Sequence, residues 1–565
     1  MRLCYRLLLL NLIASLALAD LTMDQKISDF QALASVYAKR YAAYDWKVGN
    51  TNVDLLYIRP WLEKVQATTN DLDFYEVMIN YVAALDDAHA YYLTPANFSA
   101  NLNFTVDLYD GNLLVDSINT DRLPTSTFGF KTGYQLVSID GRDAQTLLEG
   151  LLQYEVAGNP RSTRRLAATL LTSRRQNLMP HAPDVPDVST IVFQRPDGGQ
   201  ETYQIPWTKS GLAMTSVGTI KSPFATTAAM VSGGTSSEDP ADYMQTLRRL
   251  WNCKLPDQAV LGFGSLVPVF AASLPPGFIQ RLGKTASDPF YSGVFTANGK
   301  NIGFIRIPSF SPPGFTTAIT AFQNEIAYLQ ANTDGLVVDV MRNPGGDLSY
   351  LNFILSYFMP SRWISIGYEL RATSEWVAAV SSTLSSAQAQ GAPENVIAGL
   401  QTLEDAILKA NQQLAGRTAA LPLDDATFIR DPAKDTKGNL IAYTKPIIVL
   451  VDEITGSAGE AFAATIQDNA RGPLFGWRTM GAGGGSVEDW TAGSSSQGIA
   501  VVPESLMQRP LVIVTPDFPP SSYIENVGVR PDIQVDYMTA DNLNQRGKPF
   551  VDAFVAAMIA QLQAR

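Results

Sequence analysis

The stretch "ITGSAGEAFAATIQDNA", residues 454–470, places one serine, Ser457, among small residues directly after the apolar run "PIIVLVDE" at 446–453. A strand, a tight corner and a helix in that order can lift a hydroxyl clear of its backbone, where a neighbouring base would make it a nucleophile. Gly456, Ala458 and Gly459 leave room for an acyl group. The Ala458 amide, at the helix start, would face a developing oxyanion with the helix dipole behind it. A plainer reading competes, because Ser457 and Glu460 also spell the S-x-x-E capping box of an ordinary helix. A second glycine-rich corner, "VVDVMRNPGGDL" at 337–348, ends another buried strand. There Gly345 and Gly346 let the backbone approach a ligand and offer N–H groups, which nominates them with Ala458 as the oxyanion hole. Taken alone, that Gly-Gly pair reads first as a simple strand-to-helix turn.

The elements that must carry these corners begin at 291. Apolar strands such as "NIGFIRIPSF" and "DGLVVDVM" alternate with helical stretches such as "FTTAITAFQNEIAYLQ". Buried β-branched runs between amphipathic helices predict βα crossovers around a mostly parallel sheet. A helical insert falls at about 374–415, and a last helix at 546–565 closes the chain. Upstream, residues 20–100 carry the 3.6-residue period of three or four packed helices. Residues 104–207 alternate in short runs with Asp-Gly turns, a small β-rich domain interrupted by a helical insert. Residues 208–290, rich in Gly, Ser, Pro and Thr, read as a connecting segment with one short helix near "YMQTLRRLW" at 243–251, and with a lid or processing segment as the alternative.

The totals narrow the function. The 565 residues are 46% hydrophobic and 17% charged with a net charge of −12, which argues for a folded chain and against nucleic acid or anionic lipid as a partner. Residues 1–19 have the charged, apolar and A-x-A layout of a secretory signal, so the mature chain is expected to be exported, to a periplasm or beyond the cell, without an integral membrane span. Cleavage there would remove Cys4 and leave Cys253 alone, excluding an internal disulfide. Two distant histidines and one cysteine supply no zinc site, so no metal and no cofactor is expected.

The two corners together resemble the core of the S41 serine peptidases, the family of carboxyl-terminal processing, tricorn core and chlamydial secreted proteases. "FGFKTGYQLVSIDGRDA" at 128–144 likewise resembles part of the PDZ-like domain these enzymes carry. The resemblance implies an α/β fold, a crotonase/ClpP-like spiral of ββα units over 291–545, behind an N-terminal helical domain and a PDZ-like domain at 104–207. It also bears on the base. The processing branch uses a lysine about 25 residues after the serine, but position 482 is Ala and no lysine lies between Lys445 and Lys548. The tricorn-like branch uses a histidine and a glutamate. His89, in "AALDDAHAYYL", resembles its L-x-D-G-H-T signature, with Ala88 and Ala90 departing from it, whereas His181 has no such match. Glu525, in "SSYIENVGVRPD", resembles the stretch holding the branch's glutamate. The implied catalytic set is Ser457, His89 and Glu525, acting on a polypeptide substrate, with a homodimer left open.

Two other functions fit parts of this pattern. An esterase elbow wants G-x-S-x-G, but position 455 is Thr. A catalytically silent binder of apolar ligands or peptides on the same scaffold would need neither base nor acid.

Overall fold

In a computed structural model, the described residues are 20–51, 53–216, 242–255, 261–423 and 427–564. The signal-like stretch 1–19 lies outside them. Four helices, Met23–Arg40, Tyr44–Asn50, Arg59–Gln66 and Asp71–Ala83, open the structure. Phe30, Leu33, Tyr37, Phe74, Tyr75 and Met78 form their shared core. The chain then enters a short strand, Tyr91–Leu93, which pairs antiparallel with residues 499–501 of the long strand Ile499–Ile513. This pairing anchors the turn before it, where His89 sits, to the far end of the chain.

The β-rich unit is a six-stranded sheet built from Phe104–Tyr109, Asn112–Ile118, Gln135–Ile139, Arg142–Asp143, Val188–Gln194 and Gln200–Pro206. Helices Ala144–Leu151 and Pro160–Thr169 cover it. Three further strands, Ser99–Asn101, Ser173–Arg175 and Thr208–Ser210, make a small sheet at its border, so the unit reaches beyond the 104–207 expected.

From 279 onward the layers are α/β. Strands Lys300–Arg306, Gly335–Asp339, Ile447–Val451, Leu474–Gly476 and Ile533–Gln534 run parallel in that order, with Tyr291–Ala297 and Ile279–Leu282 added antiparallel at one edge. Gly335–Asp339 and Ile447–Val451 are buried at every position, as continuous apolar strands covered on both faces must be. A second sheet is centred on Ile499–Ile513 and includes Gly484–Thr491 and Gly367–Leu370. The insert is a helical hairpin, Ser374–Ala389 and Glu394–Gln412, and Lys548–Gln563 closes the chain.

Within the segment 208–290 the short helix expected near 243–251 is formed, and the described residues after it add a strand that the composition did not suggest. Among its described residues are helix Asp242–Leu250 and strand Asn252–Lys254. Leu247 and Leu250 are buried in the same core as Trp376, Leu400 and Leu403 of the hairpin. Arg249 fixes the helix from the other side through two bonds to Glu488, at 2.9 and 3.0 Å. Three residues of strand leave no period in the sequence, which is why that strand was not expected while the helix before it was.

Candidate active site

Ser457 ends the turn after Ile447–Val451 and precedes helix Ala458–Asp468, with φ 57° and ψ −123°. That backbone is strained for any residue but glycine, and its neighbours hold it in place. Asp452 Oδ1 accepts from Arg342 N at 2.9 Å, and the single proton of Thr455 Oγ1 is within reach of both Asp452 Oδ1 at 3.0 Å and Val340 O at 2.9 Å. Gly456 N bonds Asn343 O at 2.9 Å, stitching the two glycine corners together at the ends of adjacent parallel strands.

Glu460 fastens the corner from the helix side. Its carboxylate accepts from the amides of Ser457 at 3.1 Å, Gly481 at 2.7 Å and Ala482 at 2.7 Å, and from Thr479 Oγ1 at 2.5 Å. The capping-box contact of Glu460 with Ser457 is therefore made, and it coexists with a hydroxyl turned to other partners. Burial pushes the Glu460 carboxyl up to about 7, against the pull of its four donors. Glu460→Ala would leave those donors unpaired in a dry site, and we expect a loss of about 3–5 kcal/mol in chemical denaturation. A loss below about 1 kcal/mol would mean the corner is held without this carboxylate.

His89 Nε2 lies 2.9 Å from Ser457 Oγ, and both residues are fully buried. The His89 amide bonds Asp87 Oδ1 at 2.8 Å, and Tyr41 Oη bonds Asp87 Oδ2 at 2.7 Å, so the helical domain orients the turn. Burial pushes the imidazole down to about 4, although Asp87 pulls it back. A histidine held below its ordinary 6.5 takes up fewer protons when folded, so its contribution to stability is whole above 6.5 and is lost as pH falls toward 4. Between pH 7 and pH 4.5 this site alone should cost about 2–3 kcal/mol. Urea unfolding of His89→Gln should lack that part of the acid loss; an identical pH dependence in the variant would refute the shift. His181, in contrast, pairs with Asp73 and Asp184 on the surface, away from Ser457.

Two expected contacts are not made as the sequence suggested. Glu525 is fully buried, but its Oε1 meets Lys47 Nζ at 2.5 Å and its Oε2 accepts from Gly483 N at 2.8 Å. Among the described residues, His89 Nδ1 is buried without a hydrogen-bond partner. Consecutive glycines link the two residues: a Cβ on Gly484 would fall 3.1 Å from His89 Nδ1, and one on Gly483 would collide with the Glu525 backbone. Burial, then the charge of Asp87, push the Glu525 carboxyl up to about 8, with Lys47 opposing. Lys47 also donates to Asn526 Oδ1 at 2.7 Å and Asp86 O at 2.9 Å. An ammonium with three acceptors is the stronger claimant on a buried carboxylate.

The second correction concerns Gly345, whose N–H bonds Asn343 Oδ1 at 2.8 Å and is not free for an oxyanion. The "RNPGG" order contained that signal, since an asparagine side chain captures the amide two residues on. Gly345 must still be glycine: its φ is 87°, and a Cβ there would lie 2.6 Å from Ser457 Cβ and 2.8 Å from Ala458 N. Ala458 and Gly346 remain as the candidate amides.

The cleft is occupied by the chain itself. Asn252–Lys254 pairs antiparallel with Gly345–Asp347, and Ser457 Oγ bonds the carbonyl of Cys253. Sequence reasoning missed Lys47 and Cys253, which belong to no local pattern, and gave no role to Asp87, although it stands at the acidic position of the stretch that singled out His89.

Residues 301–535 match the model of peptidase family S41, and residues 98–213 match that of a PDZ domain. A Chlamydia pneumoniae protein is 23% identical over 598 aligned residues, covering 96% of this chain and 91% of that one. A protein of Chlamydia trachomatis serovar D is 24% identical, with coverages of 94% and 91%. A chloroplastic C-terminal processing peptidase of Tetradesmus obliquus is 30% identical over 125 residues, 22% of this chain and 24% of that one. The crystal structure of mature CPAF has a TM-score of 0.73 at 21% identity, covering 96% of this chain and 98% of that chain, a likeness of fold.

Proposed function

This chain is a peptidase of family S41, a serine endopeptidase acting on polypeptides, and from that premise we propose that Ser457 is its nucleophile and His89 its base, in a cleft closed by residues 242–255. The observation that carries the reading is the 2.9 Å contact between His89 Nε2 and Ser457 Oγ, made across 368 residues of sequence. A capping serine has no need of an imidazole, and a silent binder has none for a buried base.

With the Asn252–Lys254 strand displaced, an extended substrate takes its place along Gly345–Asp347 by strand addition. His89 removes the Ser457 proton as Oγ attacks the peptide carbonyl carbon. The amides of Ala458 and Gly346 receive the oxyanion. His89 then gives its proton to the leaving amine, and water, deprotonated by His89 in turn, releases the acyl group. Glu525 stabilises the imidazolium once the emptied cleft lets His89 Nδ1 reach it. Export is supported by the layout of residues 1–19, and no helix among the described residues is long and apolar enough to cross a membrane.

Limited proteolysis of the full chain, followed by assays on an unfolded protein and on short acyl esters, tests the reading. We expect hydrolysis of the unfolded protein to appear with release of the 242–255 segment and to vanish in His89→Ala. Ester cleavage without proteolysis would favour an esterase, and a fully active uncut chain would exclude the closed cleft.

A further inference from the structure

The strand in the cleft records which side chain the site accepts beside the scissile bond. Cys253 O receives the Ser457 hydroxyl, and a Cβ on Gly345 would fall 2.6 Å from that oxygen and 2.8 Å from Ala458 N. The carbonyl therefore stands where a scissile carbonyl would, between the nucleophile and the amide that stabilises its oxyanion. Cys253 then occupies the acyl-side position, and its side chain fills the subsite next to the reacting bond.

That subsite is small and its floor is rigid. Cys253 is fully buried, and a Cβ on Gly485 would lie 2.7 Å from its Sγ and 2.8 Å from Ser505 Oγ. Gly485 and Ser505 are paired across two neighbouring strands, and Ser505 is paired again with Leu370 on its other side. Ser486 closes the rim, its hydroxyl bonding Leu250 O at 2.9 Å and Ser505 Oγ at 3.0 Å. Residues locked in a continuous ladder do not recede to admit a larger group. Burial pushes the Cys253 thiol up to about 12, so the cup holds an uncharged group and offers no compensation for an ionic one.

We propose that Gly485 and Ser505 form a shallow acyl-side cup that confines cleavage to peptide bonds following a small, uncharged residue, of cysteine or alanine size. This rests on the reading of Asn252–Lys254 as a substrate-like strand over Ser457. Branched, aromatic and charged side chains at that position collide with the sheet or lose their hydration, and one extra methylene group in such a cup changes rates by about 10- to 200-fold.

Two measurements test it. In the proteolytically activated chain, fluorogenic peptides differing only at the acyl-side residue should show kcat/KM at least about tenfold higher for alanine and 2-aminobutyrate than for leucine, phenylalanine or lysine. In Gly485→Ala the preference should move from 2-aminobutyrate toward glycine, a change that damage to the fold would not produce. In the uncut full chain, fluorophosphonate should label Ser457 at least about tenfold faster in Cys253→Phe than in Cys253→Ala, because phenylalanine cannot seat. Preference for leucine or phenylalanine by an enzyme labelled at Ser457 overturns the cup and leaves the peptidase reading standing. Equal labelling of the two Cys253 variants overturns the substrate-like seating. Absence of both labelling and hydrolysis in the activated chain overturns the assignment of Ser457 itself.

Discussion

Ser457→Ala should lower the turnover number of the activated enzyme by about four to six powers of ten while leaving its urea midpoint nearly unchanged. The size follows from the arrangement. Nucleophile and base are in direct contact, at 2.9 Å, and residues that act as one unit lose almost everything when one is removed. Folding should survive because alanine at φ 57° meets the same strain as serine, and the contacts that hold the corner belong to Asp452, Thr455 and Glu460. Substitution also removes the hydroxyl bonded to Cys253 O, so the strand in the cleft should loosen slightly. A variant with near-native peptidase rates would show that some other group attacks the substrate.

Glu525→Gln should cost about three to four powers of ten in turnover, the scale of losing the carboxylate that orients a catalytic histidine. In the closed state that carboxylate is held by Lys47 and Gly483, while His89 Nδ1 has no partner among the described residues. A buried ring nitrogen without a partner costs about 1–3 kcal/mol, and a side chain at 484 would crowd that nitrogen. Lys47 enters as the counter-charge. Burial and Asp87 already hold the Glu525 carboxyl up to about 8, and loss of the ammonium raises it further. A carboxyl whose folded value is raised becomes ionised only as pH climbs through that value. In Lys47→Met the acid limb of kcat/KM should therefore move to higher pH, with a loss of about 10²–10³ at pH 7 that is partly regained at pH 9. Lys47→Arg should keep more of the activity. Rates for Glu525→Gln within about tenfold of the parent would place the orienting role elsewhere.

What the sequence made legible was local. Ser457, its small neighbours and the two strand ends follow from short-range pattern, because strand, corner and helix are written within about twenty residues. His89 stood out through scarcity and resemblance. What escaped is set by tertiary distance. Lys47 sits in "AYDWKVGN" like any solvated helix charge, and only pairing across 478 residues makes it a buried counter-ion. Cys253 lies in a polar, proline-rich segment, where a three-residue strand has too few positions to show a period. The Glu525 assignment suffered in the same way, since the chain pattern names the carboxylate but not the ammonium that claims it.

The central claim is that a hydroxyl at 457, activated by the imidazole at 89, attacks the substrate. Fluorophosphonate labelling of the activated chain, with the modified residue located by mass spectrometry, tests it most directly. Stoichiometric label on Ser457 alone, lost in His89→Ala, is the predicted result. Label on another residue, or undiminished labelling of Ser457 in His89→Ala, would contradict it.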